Sequence, residues 1–352
     1  MTDSLSMFYP RLAAQLPKRP IADLPTPLRE YMLGSGPGAQ AVLVKRDDLS
    51  GKLYGGNKIR KLEYLLQRAK QRGAKRVATF GTVASNHALA TALYASELDL
   101  ECTCLLSHQS MTPKAPLALN LHLRNQTEIV EFSGTRSKRV GTMRKYLQGR
   151  HSWVIPVGGS SWLGVIGFVN AALELATQIE EAKIQVPLRL YVANGTMGTA
   201  AGLALGLALA NLQTEVHAAR VTHESVSNPA AMQRLINKTA IMMHRLDPSV
   251  PLDIAARCNI IFRDEFFGDG YARSNAATDR AIIVAQQELG LTLESTYTGK
   301  AMATLLHDLS QARSVGEKVM FWNTYNSRTL PVTAARPEDT SRLPEQFLRY
   351  YV

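Results

Sequence analysis

The stretch Tyr54-Gly55-Gly56-Asn57-Lys58-Ile59-Arg60-Lys61-Leu62-Glu63 sets two glycines, an asparagine and a lysine where a loop runs into an amphipathic helix. Ile59, Leu62, Leu66 and Ala69 recur at helical spacing, which predicts a helix over Lys58 to Arg72 closed by Gly73. Asn57 is suited to cap that helix, and glycines permit conformations and close approaches that other residues resist. Lys58 falls in the first turn, where the helix dipole is already positive. Either some group neutralises or uses that amine, or it is a surface lysine after a flexible turn.

Outward from this stretch the chain alternates short β-rich runs with helical patterns. The strand-like runs are Ala41 to Lys45, Val77 to Gly81, Cys102 to Ser107, Glu128 to Phe132, Trp153 to Val157, Leu188 to Ala193, Val216 to Val221 and Lys318 to Trp322. Such alternation predicts an α/β protein with largely parallel sheets, whose ligands sit beyond the carboxyl ends of the strands. No internal repeat or low-complexity segment interrupts it.

Three further loops carry groups able to do chemistry. Gly81-Thr82-Val83-Ala84-Ser85-Asn86-His87 closes a strand. Ser85 there is either a helix cap or, with the amide and imidazole beside it, part of a carboxylate-binding and proton-handling cluster. In Asn194-Gly195-Thr196-Met197-Gly198-Thr199 a strand gives way to glycines, hydroxyls and a small-residue helix. Backbone N–H groups at such a start make an anion site reinforced by the helix dipole. The loop is no Walker A motif, since no Gly-Lys-Ser/Thr closes it, and it lacks the Gly-x-Gly-x-x-Gly spacing. Ser295-Thr296-Tyr297-Thr298-Gly299-Lys300 puts a tyrosine and a threonine at another helix start. One lysine, one phosphate cup and several hydroxyls, without clustered metal ligands, describe a site for pyridoxal 5′-phosphate (PLP). That cofactor needs an amine, an anion cup and groups on its ring hydroxyl and pyridine nitrogen.

From about Leu24 to Thr324 the sequence resembles the fold-type II PLP enzymes of the 1-aminocyclopropane-1-carboxylate (ACC) deaminase and D-cysteine desulfhydrase family. The matching stretches are Leu24 to Leu28, Lys45 to Gly51, Gly55 to Glu63, Ser85 to His87, Ile155 to Phe168, Asn194 to Thr199 and Tyr297 to Met302. The resemblance implies an α/β fold like that of the tryptophan synthase β-subunit, with two domains built on mostly parallel, open twisted sheets. Residues 1–59 plus 166–352 would form the large PLP-binding domain and residues 60–165 the small one, with the cofactor between them.

The same resemblance implies that Lys58 forms the Schiff base and moves the substrate α-proton. Asn86 would bond the ring O3′, and Gly195, Thr196, Met197, Gly198 and Thr199 would hold the phosphate. Thr298 and Thr324 complete the implied cofactor contacts. Ser85, Asn86 and His87 would meet the substrate carboxylate, and Ser85, Tyr271 and Tyr297 join Lys58 as catalytic candidates. No metal site is expected.

Departures from the family pattern bear on the substrate. Ala84 stands where a glutamine is usual, and Leu89 where an arginine is. The usual His-Thr-Gly-Gly reads Asn323-Thr324-Tyr325-Asn326, the usual Asp-Pro is altered to Ser295-Thr296, and Thr298 replaces the glutamate of the deaminase branch. The reading is therefore a lyase that eliminates a β-substituent from a small, D-cysteine-like amino acid, giving ammonia and a 2-keto acid. An ACC deaminase, or a PLP-binding protein with little turnover, is the alternative.

Bulk properties set the remaining expectations. The 352 residues suffice for one large or two medium domains. A net charge of +11 with scattered clusters such as Arg136-Ser137-Lys138-Arg139, lacking interleaved aromatics, reads as a basic face rather than a nucleic-acid site. The sequence is read as having no apolar run long enough to cross a bilayer and no charged-then-apolar leader, which predicts a cytoplasmic protein without a membrane partner. Cys102, Cys104 and Cys258 read as reduced thiols. The expected partners are a small amino-acid substrate and, as the family implies, a second copy in a homodimer.

Overall fold

The computed structural model describes residues 3–147, 151–311 and 317–351. Its strands are β1 (Leu28–Leu33), β2 (Gln40–Lys45), β3 (Arg76–Thr82), β4 (Glu101–Ser107), β5 (Glu128–Glu131), β6 (Ser152–Val154), β7 (Arg189–Asn194), β8 (Glu215–Arg220), β9 (Ile260–Arg263) and β10 (Val319–Trp322). The helices are α1 (Ser4–Phe8), α2 (Pro10–Gln15), α3 (Lys58–Gln71), α4 (Asn86–Glu97), α5 (Lys114–Arg124), α6 (Arg136–Leu147), α7 (Trp162–Glu181), α8 (Gly198–Leu209), α9 (Pro229–Leu246), α10 (Ala276–Leu289) and α11 (Thr298–Leu309).

The strands form two sheets, one of six in the order β1-β2-β10-β7-β8-β9 and one of four in the order β5-β4-β3-β6. Among the described residues β1 and β2 alone pair antiparallel, and the other pairings are parallel. Central β10 is buried at all four residues, as a strand covered on both faces must be. The fold class read from the sequence is the one observed. The edge strands β1 and β9 escaped that reading. β1 has no fully buried position and mixes charged with apolar residues, and β9 has only four residues, so neither gives a strong apolar signal.

Helix α7 corrects one expectation. It is long and apolar enough to cross a membrane by length and composition, yet most of it is buried within the molecule. It packs against α1, α3, α8 and α9. A helix this rich in apolar residues belongs in a core of this size as readily as in lipid.

A buried ionic network anchors α3. Arg60 Nη2 donates to Asp47 Oδ1 at 2.8 Å and Arg60 Nη1 to Glu174 Oε2 at 3.0 Å. Lys45 Nζ reaches Glu174 Oε1 at 2.6 Å, and Trp322 Nε1 reaches Asp47 Oδ2 at 2.8 Å. Burial opposes ionisation of Glu174, but Arg60 and Lys45 prevail and hold its carboxyl at about 2. Charges out of water persist when each has partners, and here they join β2, α3, α7 and β10. Lys58 opens the helix that this network fixes.

Candidate active site

A cavity of 720 Å³ is lined by loops that follow β3, β4, β7, β8 and β10, and by the start of α3. Both sheets thus point their carboxyl ends at one space, where α/β sheets hold ligands. Of the site residues read from the sequence, Lys58, Ser85, Asn86, His87, Gly195, Thr196, Met197, Gly198, Thr199, Tyr271, Tyr297 and Thr324 all line it.

Lys58 reaches this cavity because Gly55 and Gly56 let the loop before α3 dock against its neighbours. A Cβ on Gly55 would lie 1.9 Å from Asp48 O, and one on Gly56, at φ +98°, 2.7 Å from Thr324 O. Asn326 Oδ1 accepts from Gly55 N at 2.6 Å, and Asn57 N donates to Thr324 O at 3.2 Å. The altered loop Asn323 to Asn326 is thereby the bed on which the lysine loop rests. The expectation that the Asn57 side chain caps α3 is not met. The residue's backbone is helical, and its amide instead joins Lys58 Nζ at 2.8 Å to Thr199 Oγ1 at 2.9 Å. Burial pushes the Lys58 amine down to about 8, against the opposing pull of Glu294. A much larger share of it is therefore neutral near pH 7 than of a surface lysine.

The Gly195 to Thr199 loop turns sharply, with Met197 in the left-handed region at φ +65°. Ser160 Oγ lies 2.7 Å from Thr196 Oγ1 and accepts from Gly198 N at 3.3 Å. Lys61 Nζ lies 3.4 Å from Ser160 Oγ and 3.1 Å from Gly158 O. Among the described residues no carboxylate forms an ion pair with Lys61, and burial, then Lys58, drive its pKa well below the ordinary value. An amine without a counter-ion, two hydroxyls and backbone N–H groups at a helix start form a cradle for a phosphate. Lys61 was not singled out from the sequence. Its signal was there, since it lies one turn after Lys58 on the same face of α3.

Ser85 caps α4, accepting from Ala88 N at 3.2 Å, while its hydroxyl still borders the cavity. The two readings of Ser85 are thus compatible in space. Asn86 presents its carboxamide between Tyr54, whose hydroxyl donates to Asn86 Oδ1 at 2.5 Å, and the cavity. His87 is 3% exposed, and its Nε2 is taken by Thr79 Oγ1 at 2.9 Å. Burial, then Lys58 and Lys61, push its pKa well down, so the ring is neutral and better placed to support α4 than to pair with a carboxylate.

Across the cavity, the Tyr271 and Tyr297 hydroxyls meet at 2.5 Å, with Thr82 Oγ1 3.5 Å from Tyr271. Burial raises both phenols, so they remain protonated donors. Lys300 secures the loop that carries Tyr271, bonding Phe267 O and Gly270 O. Thr298 corrects the sequence reading, since it does not line the cavity. Its Oγ1 accepts from Glu294 N at 3.0 Å and reaches Glu294 Oε1 at 3.3 Å, so the hydroxyl is spent on the helix start. Glu294 does line the cavity, its carboxylate accepting the N–H groups of Thr296, Tyr297 and Thr298. An acid fitted to a helix N-terminus was legible in the sequence only as a cap.

A buried amine, a phosphate cradle that includes a lysine one turn further along the same helix, and a carboxamide for a ring oxygen are the groups that PLP requires. The comparisons agree. Residues 21–324 match the family model described as pyridoxal-phosphate dependent enzyme, and the chain belongs to that family. It is a PLP-dependent lyase of the group that the sequence resembles. A D-cysteine desulfhydrase from Salmonella paratyphi A is 37% identical over 85% of this chain and 90% of its own. One from Klebsiella pneumoniae is 33% identical over 88% and 94%. The crystal structure of an ACC deaminase homologue superposes with a TM-score of 0.74 at 28% identity, over 92% and 95%. A threonine deaminase from Solanum lycopersicum, at a TM-score of 0.61 and 14% identity over 99% and 94%, shares the fold.

Proposed function

We propose that the enzyme cleaves D-cysteine or a close β-substituted D-alanine, releasing the β-substituent, ammonia and a 2-keto acid. For D-cysteine the products are hydrogen sulfide, ammonia and pyruvate, with one water consumed. The observation that carries this reading is the placing of Lys58 Nζ and the Tyr271–Tyr297 hydroxyl pair in one cavity. The D-cysteine desulfhydrases at 33–37% identity support the substrate class.

PLP, when bound, supplies an aldehyde that captures amines and a ring that takes up the electrons left at the substrate α-carbon. The chain's residues do the rest. Lys58 Nζ would hold the cofactor and, as a neutral base, would take the substrate α-proton. The cradle of Lys61, Ser160 and Gly195 to Thr199 would hold the phosphate. Ser85 Oγ and the Asn86 amide face the substrate carboxylate and ring oxygen. The paired phenols of Tyr271 and Tyr297 donate toward the departing sulfur, and the Tyr325 ring narrows the wall that glycine would leave open.

The Thr298 hydroxyl is spent on Glu294, and the Glu294 carboxylate that lines the cavity is engaged by the N–H groups of Thr296, Tyr297 and Thr298; we read this as a site with no free carboxylate for the cofactor ring, which disfavours ACC opening. The segment 60–165 is the small domain in this reading, and the cytoplasm is the compartment that suits three free cysteines. A homodimer is what the family resemblance implies. The test is an assay of sulfide and pyruvate from D-cysteine, L-cysteine and 3-chloro-D-alanine, alongside 2-oxobutanoate from ACC. Turnover of D-cysteine and the chloroalanine is expected. Faster turnover of ACC would overturn the assignment, and no turnover of any would favour a PLP-binding protein with little activity.

A further inference from the structure

Lys114 opens α5 as Lys58 opens α3, again setting an ammonium where the helix dipole is already positive. Its Nζ donates to Tyr54 Oη at 3.0 Å and to Asn86 Oδ1. It also lies 4.8 Å from the centroid of the Tyr325 ring and 5.7 Å from that of Tyr54. No carboxylate among the described residues forms an ion pair with it. A lysine can only donate, so the oxygen of Asn86 must face Lys114 and Tyr54. The amide nitrogen is left for the cavity, and whatever meets it there must be a hydrogen-bond acceptor.

We propose that Lys114 is a positioning residue of this site, which locks the Asn86 carboxamide with its NH2 toward the cofactor ring oxygen and places a positive charge behind it. The proposal rests on the PLP reading above. Tyr325, one of the residues that depart from the family pattern, forms part of the aromatic seat for this ammonium, so the altered loop and Lys114 act as one device. Burial pushes the Lys114 amine down to about 8, while Glu294 opposes and Lys58 adds to the shift, which places both lysines in one electrostatic neighbourhood.

The test uses purified full-length enzyme and its apoprotein in four variants: Lys114→Met, Lys114→Gln, Asn86→Ala and the Asn86→Ala/Lys114→Met pair. The readouts are the PLP dissociation constant of the apoprotein and the pH midpoint of the cofactor's visible band. Lys114→Met should weaken PLP about tenfold, the worth of one charge-assisted bond. Lys114→Gln, which keeps a donor, should recover most of that affinity. Both should raise the midpoint by about one pH unit, because a neighbouring cation disfavours the protonated form of the lysine-bound cofactor. The other titratable groups facing this space are Lys58, Lys61, His87, His108, Arg139, His223, Asp269, Tyr271, Arg273, Glu294, Tyr297 and Tyr325, with Tyr54 against Lys114 itself. All are unchanged in the Lys114 variants.

In the Asn86→Ala background the affinity effect of Lys114→Met should shrink to within about twofold, as coupled positions require. Lys114 variants with wild-type affinity and midpoint would overturn the proposal, and so would an affinity loss undiminished without Asn86. A wild-type protein that holds no borohydride-trapped PLP on Lys58 would instead overturn the cofactor reading beneath it. Circular dichroism of each variant separates these results from misfolding, and if Lys114→Met fails to fold, Lys114→Gln carries the midpoint test.

Discussion

Asn57 Nδ2 donates to Thr199 Oγ1 over 2.9 Å while the same side chain accepts from Lys58 Nζ at 2.8 Å. One amide therefore spans the amine and the phosphate cradle, which arise 142 residues apart in sequence. Asn57→Ala should stay folded but lose about 1–2 kcal/mol, the cost of an unpaired buried group. It should also release PLP faster. Urea unfolding and the release rate check this, and an unchanged release rate would mean that the bridge serves folding alone.

Lys58 itself sets a pH dependence. Its pKa of about 8 lies below the ordinary 10.5, so the folded protein binds fewer protons than the unfolded chain between those values. The cost of burying the amine is full below about pH 8 and is relieved as pH rises through that window. PLP uptake by the apoprotein needs the neutral amine. Its rate should climb about tenfold per pH unit below 8 and level off above it. Lys58→Ala should abolish the borohydride-trapped adduct; an adduct persisting on Lys61 or Lys114 would show the wrong amine had been chosen.

Gly198 is a matter of space. A Cβ there would lie 2.6 Å from Ser160 Oγ and 2.9 Å from Lys61 Nζ, inside the cradle. Its backbone is helical, so a side chain is not excluded by conformation. Gly198→Val should therefore fold yet bind PLP at least about a hundredfold more weakly, a loss of two good hydrogen bonds. Equilibrium dialysis measures it, and near wild-type affinity would argue against the phosphate lying there.

The network beneath α3 is expected to govern stability rather than chemistry. Asp47→Ala would strip Arg60, Thr26 and Trp322 Nε1 of a shared acceptor. Breaking a buried pair costs about 3–5 kcal/mol, which urea unfolding would register. Retention of full stability would show that Glu174 alone satisfies Arg60.

The sequence by itself determined the fold class and most of the cavity. Alternating strand and helix patterns, with glycine-rich loops at strand ends, have few other solutions in an α/β chain. The lysine was legible because an ammonium at a helix N-terminus is a local electrostatic misfit, visible within ten residues. Other facts were decided only in three dimensions. Thr298 turned to Glu294 because a helix start has N–H groups to satisfy before any ligand arrives. Asn57 left its helix unsupported by its side chain because Lys58 and Thr199 offered it two partners at once. Lys114 gave the same local signal as Lys58, yet its meaning depended on Tyr54, Asn86 and Tyr325 converging from three separate segments. Periodicity and helix-end chemistry are properties of neighbours along the chain. Which donor meets which acceptor across a cavity is a property of packing, and no local pattern encodes it.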